Sequence, residues 1–248
     1  MPYTIPPEPP IGSIPVEYDR LDYHHQMGQV NSIRAICGGI NSDPNAEPSL
    51  KGIAELFGGI ADLAAGRSEQ GLSALRRALA GPEYIKVRAA SELVIFLVGK
   101  GDIEGARALL APHTASPPAS AEFHYACGLF LGATGDSEGE WRELLQAASL
   151  NPFHLPTIKR LTVCGMIPER FGELERTFER FLDAEPQNGN IRTYYAAALL
   201  ALGRAERSWC EVQRVVAFIE LAPVDDEAIQ ILRSLTLAIK NLKGEDSP

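Results

Sequence analysis

Few residues in this chain have types and spacings that suggest chemistry, and the clearest set is a candidate metal site. His24 and His25 lie near Asp19 and Asp22, and imidazole with carboxylate is a ligand set that zinc accepts. Because no further ligand follows at a recognisable spacing, we interpret this set as a solvated helix face. The sequence also lacks a phosphate-binding loop, a dinucleotide fingerprint and a nucleophile motif. We therefore predict a protein without enzymatic activity, metal or cofactor.

The four cysteines, Cys37, Cys127, Cys164 and Cys210, are far apart and form no CxxC pair. This spacing is not typical of disulfide-stapled domains or of zinc sites, so we expect reduced and mostly buried thiols. The N-terminal residues do not combine a basic region with a following apolar one, as a signal peptide would. We expect a cytoplasmic protein; the alternative is a periplasmic mature form whose signal peptide was removed.

Charge and hydropathy narrow the range of partners. The 248 residues include 32 acidic and 23 basic ones, for a net charge of −9, whereas nonspecific binding to nucleic acid or to anionic membranes requires a basic surface. A membrane-spanning helix needs about 18 or more apolar residues, and the densest apolar stretch, residues 93–98, is much shorter. We predict neither nucleic-acid binding nor direct membrane insertion.

The elements that must position any functional residue are helices. Apolar residues recur at three- and four-residue spacing, turn residues interrupt them at short intervals, and no alternating strand pattern of useful length occurs. This pattern predicts an all-α chain of about twelve paired helices and one closing helix. Because the connections are short, each pair should form a helical hairpin.

The two ends of the chain differ from this helical domain, which we place at residues 17–243. Residues 1–16 contain six prolines, a density that excludes helix and favours an extended, polyproline-like arm. We interpret the arm as a disordered or loosely docked leader. The alternative is an arm that wraps onto the helical domain or onto another subunit through four apolar anchors, Tyr3, Ile5, Ile11 and Ile14. Residues 244–248 form a predicted flexible tail.

A regular period organises the helical domain. Pro118, Pro152 and Pro186 are spaced 34 residues apart, and each follows a pair of predicted helices. The best-preserved unit is residues 121–154. A single helical hairpin cannot bury its own apolar face, so successive hairpins must stack to form a continuous core.

The unit resembles the tetratricopeptide repeat (TPR), a helix-turn-helix motif of about 34 residues. In residues 121–154 the glycines of the motif fall on Gly128 and Gly135, its second-helix residues on Leu144 and Ala147, and its proline on Pro152. The resemblance extends over residues 17–243, as about six units. It implies a right-handed α-solenoid of helix-turn-helix repeats with a C-terminal capping helix.

Two features refine this expectation. In the fifth unit, Leu174 and Phe181 stand where TPRs usually have small residues, so we expect a distorted superhelix at this repeat. In the closing helix, one apolar stripe should cover the open end of the stack, while Arg233 and Lys240 occupy the other face. The stripe consists of Ile229, Leu232, Leu235 and Ile239.

The resemblance also implies a binding site. In TPR proteins the first helix of each hairpin lines a concave groove, which is the usual ligand site. The same register would also allow neighbouring helices to bury several of these side chains. The predicted groove residues are more apolar and aromatic than charged: Leu56, Ile60, Leu63, Arg88, Ser91, Ile95, Glu122, Tyr125, Leu129, Lys159, Val163, Met166, Asn190, Thr193 and Ala197.

One TPR subfamily grips the acidic C-terminus of a peptide with Lys, Asn and Arg side chains. Lys159 and Arg160 fall near such positions, but the accompanying asparagine is missing, so we do not expect such a clamp. An apolar groove suits an amphipathic helix or an extended apolar segment instead.

The groove leads to two hypotheses about function. The first is a non-enzymatic protein–protein interaction scaffold (an adaptor, an assembly factor or a chaperone) that binds a peptide or a helix of a protein partner. The alternative is a structural subunit that self-associates into a homo-oligomer through the N-terminal arm or the distorted fifth repeat. Nothing in the sequence favours a third hypothesis, a small-molecule sensor that uses the groove.

Overall fold

The computed structural model describes residues 15–26, 28–113, 115–219 and 224–243. Within these ranges the chain forms thirteen α-helices, a short 3-10 helix at Ala111–His113 and no β-strand, which confirms the all-α prediction. The helices are α1 (Val16–Gln26), α2 (Val30–Ser42), α3 (Pro48–Ala64), α4 (Ser68–Ala78), α5 (Glu83–Lys100), α6 (Ile103–Leu110), α7 (Ala121–Ala133), α8 (Ser137–Leu150), α9 (Leu155–Gly165), α10 (Pro168–Ala184), α11 (Gly189–Ala201), α12 (Ala205–Phe218) and α13 (Asp226–Lys243).

The ends of the chain lie mostly outside the described residues. This applies to the predicted tail and to the predicted proline-rich arm with its four apolar anchors. The described part of the arm is short, and within it Val16 already begins α1. The helix therefore starts one residue inside the segment that we assigned to the arm.

The first twelve helices pack as six consecutive pairs, from α1 with α2 to α11 with α12. In five pairs the turn contains a glycine with positive φ: Gly28, Gly66, Gly101, Gly135 and Gly203. The α9–α10 pair has no such glycine, and its second helix begins at Pro168. Proline is well tolerated at the first helical position because that position needs no backbone N–H.

The chain divides into two compact units, Met1–Pro118 and Ala119–Pro248. In the first unit, side chains from α1 to α5 form one apolar core. Its buried members include Leu21 of α1, Ile33 of α2, Phe57 of α3, Leu75 of α4 and Ile85 of α5. Each helix of this unit up to α5 thus contributes one face to the core, which is the stacking that the repeat requires.

In the second unit, an aromatic core joins α8, α9, α10 and α11. Trp141, Leu161, Phe178 and Tyr195 are buried together, and the rings of Phe178 and Tyr195 stack with their centroids 5.1 Å apart. These large side chains fix α10 against α11, although the α9–α10 turn departs from the pattern of the other pairs.

The closing helix α13 packs on α11 and α12. Leu232, Leu235 and Ile239 are buried there, as we predicted, but the fourth buried residue is Ala228, and Ile229 is only half-buried. Ala228 lies one turn before Leu232 on the same helix face, whereas Ile229 is rotated away from that face.

The two helices of the fifth repeat, α9 and α10, pack against each other differently from α3 and α4 of the second repeat. A Cβ atom at Gly165 of α9 would lie 2.9 Å from the Leu174 Cδ2 atom of α10. In the second repeat, a Cβ atom at Gly59 of α3 would lie 3.0 Å from the backbone oxygen of Gly71 of α4. Between α9 and α10, the long side chain of Leu174 therefore fills the space beside the glycine. Between α3 and α4, the two backbones approach closely and leave no such space. The distortion of the superhelix at this repeat stays a prediction.

The close contact between α3 and α4 can be tested with two neighbouring glycines. Gly59→Ala should destabilise the protein by about 1–3 kcal/mol, because the added Cβ would lie 2.9 Å from the Leu75 Cγ and 3.0 Å from the Gly71 oxygen. Urea unfolding followed by circular dichroism measures this change.

Gly58→Ala is the matched control, since the nearest atom to its Cβ would be the Cys37 Cβ at 3.9 Å. We expect it to stabilise α3 by about 0.5–1 kcal/mol, because alanine loses less backbone entropy than glycine on folding. Equal unfolding midpoints for the two variants would contradict the close approach of α3 and α4.

Candidate functional site

The candidate site is an open pocket of about 330 Å3 beside α7 and α9 in the second unit. One lining residue comes from α7 and five come from α9, so the pocket lies on the first helices of two successive hairpins. Four of the six are apolar or aromatic and two are basic: Tyr125, Leu155, Pro156, Lys159, Arg160 and Val163. Three predicted groove residues, Tyr125, Lys159 and Val163, are therefore brought together.

Tyr125 forms the α7 wall of the pocket. Its ring meets the ring of His154 edge to face, with centroids 5.2 Å apart. The His154 Nδ1 atom lies 2.6 Å from the Oγ1 atom of Thr157, which is buried in the first turn of α9. The residue that precedes α9 is thus fixed both to its own helix and to the half-buried Tyr125, so this wall is held in place.

Val163 is an exposed apolar lining residue, since 63% of it is accessible. It follows Lys159 by one helical turn, so the two side chains share a face of α9. Removing a whole valine side chain from water is favourable by roughly 1.5–3 kcal/mol of free energy. Because Val163 stays exposed in the chain by itself, folding does not provide this free energy. A partner that covers Val163 would gain part of it.

Arg160 gives the pocket a permanent positive charge. Its Nε donates to the Oε1 atom of Glu140 on α8 at 2.5 Å, and this hydrogen bond raises the pKa of Arg160. Glu140 itself is buried, so Arg160 compensates a charge that water does not reach. Removing Arg160 would leave that buried charge unpaired, which is costly.

Lys159 is held by residues at the start of α13. Glu227 forms an ion pair with its Nζ, and the Asp225 Oδ2 atom lies 3.7 Å from the same Nζ. The Nζ also lies 5.5 Å from the centre of the Tyr194 ring. Burial acts to lower the pKa of Lys159, but the hydrogen bond to Glu227 and the charge of Asp225 help to outweigh it and raise this pKa.

Comparison with known proteins identifies the fold. No protein-family model matches the sequence, and no curated protein matches it. Among solved structures, the chain resembles TTC0263, a thermophilic TPR protein of Thermus thermophilus, with a TM-score of 0.56 and 19% identity over 75% of this chain and 99% of that one. It also resembles a tetratricopeptide repeat protein of Parabacteroides merdae, with a TM-score of 0.53 and 14% identity over 92% of this chain and 87% of that one.

A third similar structure is PilW, a widely conserved type IV pilus biogenesis factor. Its TM-score is 0.56 and its identity 16%, over 88% of this chain and 97% of that one. This chain has the TPR fold. The resemblance that we inferred from the 34-residue spacing of the prolines is therefore confirmed.

Five of the predicted groove residues of the TPR fold are buried within their units. Leu56 and Ile60 belong to the core of the first unit, and Arg88 pairs with acidic side chains of α1 and α5. The hydroxyls of Ser91 and Thr193 donate to backbone carbonyls of their own helices. The prediction that these five side chains line an open groove is wrong, because neighbouring helices cover them completely or nearly so.

The remaining predicted groove residues are at least partly accessible. Leu63 and Ile95 lie in the first unit, and on α7 the residues Glu122 and Leu129 flank Tyr125 in sequence. In the second unit Met166, Asn190 and Ala197 are half-buried. Their part in binding stays a prediction.

The pocket also contains lining residues that we did not assign to the groove: Leu155, Pro156 and Arg160. Pro156 stands 34 residues after Glu122, at the same repeat position, so the register alone could have identified it. Leu155 and Arg160 lie beside groove positions on α9, and their contribution depends on how α9 is placed against α7 and α8.

Other sites for chemistry are few. In the part of the chain that the structure describes, no three or more His, Cys, Asp or Glu side chains are grouped to hold a metal ion. Across the same residues, no helix is both long enough and apolar enough to pass through a membrane. Of the two adjacent histidines near the start, His24 places its Nδ1 atom 2.6 Å from the Oε1 of Gln29.

All four cysteines are free, but only Cys210 is exposed. Burial raises the pKa of Cys37 to about 11, of Cys164 to about 11 and of Cys127 to about 12. These three thiols are protonated at neutral pH and are therefore poor nucleophiles.

Ellman's reagent tests this arrangement. At pH 8 we expect Cys210 to react on the order of a hundredfold faster than the other thiols, because it alone is exposed and burial raises the pKa of the other three. Unfolding in guanidinium should make all four react at one rate. Cys210→Ser should abolish the fast phase, and a fast phase that survives this change would show that a buried thiol is reactive.

Proposed function

We propose that this protein is a non-enzymatic protein–protein interaction scaffold and that an apolar segment of its partner docks in the α7–α9 pocket. The pocket itself is the observation that carries the proposal. Tyr125, Pro156 and Val163 present apolar surface to solvent on the first helices of two successive hairpins. Single exposed apolar side chains are common on protein surfaces, but an apolar concavity with a polar rim is typical of a binding site.

The form of the pocket favours a peptide or a helix as the bound element. An amphipathic helix or an extended segment binds through individual side-chain anchors, and a pocket of about 330 Å3 has room for such an anchor. Lys159 and Arg160 border the pocket without closing it. Their positive charges would orient the bound segment by its acidic groups.

The proposed role is that of an adaptor, an assembly factor or a chaperone. PilW, whose fold this chain shares, is a pilus biogenesis factor, which supports an assembly role. All four cysteines are free thiols, as is typical of proteins in a reducing compartment. We therefore propose that the protein works in the cytoplasm, which fractionation of the native cells would test.

Affinity capture from the native source, with quantitative mass spectrometry, tests the pocket. Val163→Glu should reduce recovery of the specific partner about tenfold or more, because it places a charge against the apolar anchor. Because Val163 is exposed, we expect the free energy of unfolding of the variant to lie within about 0.5 kcal/mol of that of the wild type.

Val216→Glu is the matched control, since Val216 of α12 is 56% exposed and does not line the pocket. It introduces the same charge into the same type of residue. Equal recovery of the partner by Val163→Glu and Val216→Glu would overturn the proposal.

Self-association is the second candidate function. Val163, Ile167 and Phe153, in or beside the fifth repeat, are all exposed apolar residues, which supports a contact between two copies there. If this function holds, light scattering should show a dimer or larger species that Val163→Glu or deletion of residues 1–16 converts to a monomer. A monomer at every concentration for the full chain would exclude it.

A further inference from the structure

The Lys159 end of the pocket already holds acidic groups from the same chain. Glu227 pairs with the Lys159 Nζ, and the Asp225 carboxylate lies 3.7 Å from it. Both acidic residues belong to the start of α13, yet Lys159 lies 68 residues before Glu227 in the sequence. The pocket residue Lys159 thus binds a distant acidic segment, residues 225–227, within the second unit.

A second predicted groove residue holds the same segment. The backbone N–H of Asp225 donates to the Oδ1 of Asn190 on α11 at 2.9 Å. The Oδ1 of Asp225 in turn accepts from the N–H of Ala228 at 2.7 Å and so caps α13. Two first-helix residues, Lys159 of α9 and Asn190 of α11, therefore hold residues of the chain's own closing helix.

The two cations of the pocket differ in how easily they could change partner. Arg160 pairs with Glu140, which is buried, so releasing it would strand a charge away from water. Lys159 pairs with Glu227, whose side chain is 60% exposed. An exposed ion pair contributes little to stability, and Glu227 would be solvated once released. Lys159 is the cation that can exchange its acidic partner at low cost.

Lys159 and Val163 lie one helical turn apart on the same face of α9. A segment with an apolar anchor against Val163 would therefore place a neighbouring residue near the Lys159 ammonium group. A carboxylate at that position would replace Glu227 as the ion-pair partner. An uncharged or basic residue would leave Lys159 paired with the start of α13.

We propose that the partner segment carries an acidic residue next to its apolar anchor and that this residue competes with Asp225 and Glu227 for Lys159. The inference rests on the proposed function, because it specifies the chemistry of the segment that the same pocket binds. The start of α13 then acts as a built-in competitor, which lowers the affinity for acidic segments and leaves the affinity for segments without the acidic residue unchanged.

A random peptide library displayed on phage is the first probe, with the full-length chain as target. Peptides selected by the wild type should pair Asp or Glu with a nearby aliphatic or aromatic residue, and they should not bind Val163→Glu. Selection on Lys159→Met should lose the acidic residue and keep the apolar one. This variant retains the length of the side chain without its charge.

A selected peptide, synthesised with a fluorescent label, is the second probe. Fluorescence anisotropy should show about fivefold tighter binding to Glu227→Gln than to the wild type, because the competitor is weakened. Asp226→Asn is the matched control: it removes one carboxylate from the same helical turn, and Asp226 forms no ion pair with Lys159 in the described residues. Its affinity should equal that of the wild type.

The double variant Asp225→Asn, Glu227→Gln should bind the peptide more tightly still. Asparagine caps a helix about as well as aspartate, so α13 stays capped while both competing charges are lost. A version of the peptide with Asn or Gln in place of its acidic residues should bind every variant equally weakly.

The outcomes separate this inference from the proposed function. If no peptide is selected, or if the selected peptides bind Val163→Glu as well as the wild type, the pocket is not the binding site and both proposals fail. If the peptides need Val163 but carry no acidic residue, or if Glu227→Gln and Asp226→Asn bind them equally, only the competition at Lys159 is refuted.

Discussion

Each hairpin of this protein is subject to one constraint: its two helices cannot bury their apolar faces against each other alone. Phe57 and Leu75 of the second hairpin are fully buried because helices of the neighbouring hairpins cover them. The same need explains α13, since α11 and α12 have no further hairpin after them within the described residues. Leu232 and Ile239 supply the missing cover. Stacking therefore determines both the core and the position of the closing helix.

The candidate site consists of the surface that stacking leaves open. Along α9, Thr157 and Leu161 are buried, whereas Lys159 and Val163 remain accessible. The closing helix also shapes this surface, because the acidic residues at its start pair with Lys159. One helix thus completes the core of the second unit and also supplies the acidic groups that hold Lys159.

The paired helices and the closing helix followed from local signals, since turn residues and apolar spacing act within a few residues. The groove was predicted less well. A repeat register identifies the helix face, but the burial of Arg88, Ser91 and Thr193 depends on helices that pack against that face.

The sequence by itself determined the all-α class, the hairpins, the TPR fold and the presence of a closing helix. These properties depend on periodicity and on turns, which are local and recur every 34 residues. Only the tertiary structure decided which first-helix residues are accessible and that Lys159 and Asn190 hold the start of α13. Those properties depend on contacts between residues far apart in the chain, 68 positions in the case of Lys159 and Glu227. No local pattern encodes such a distance.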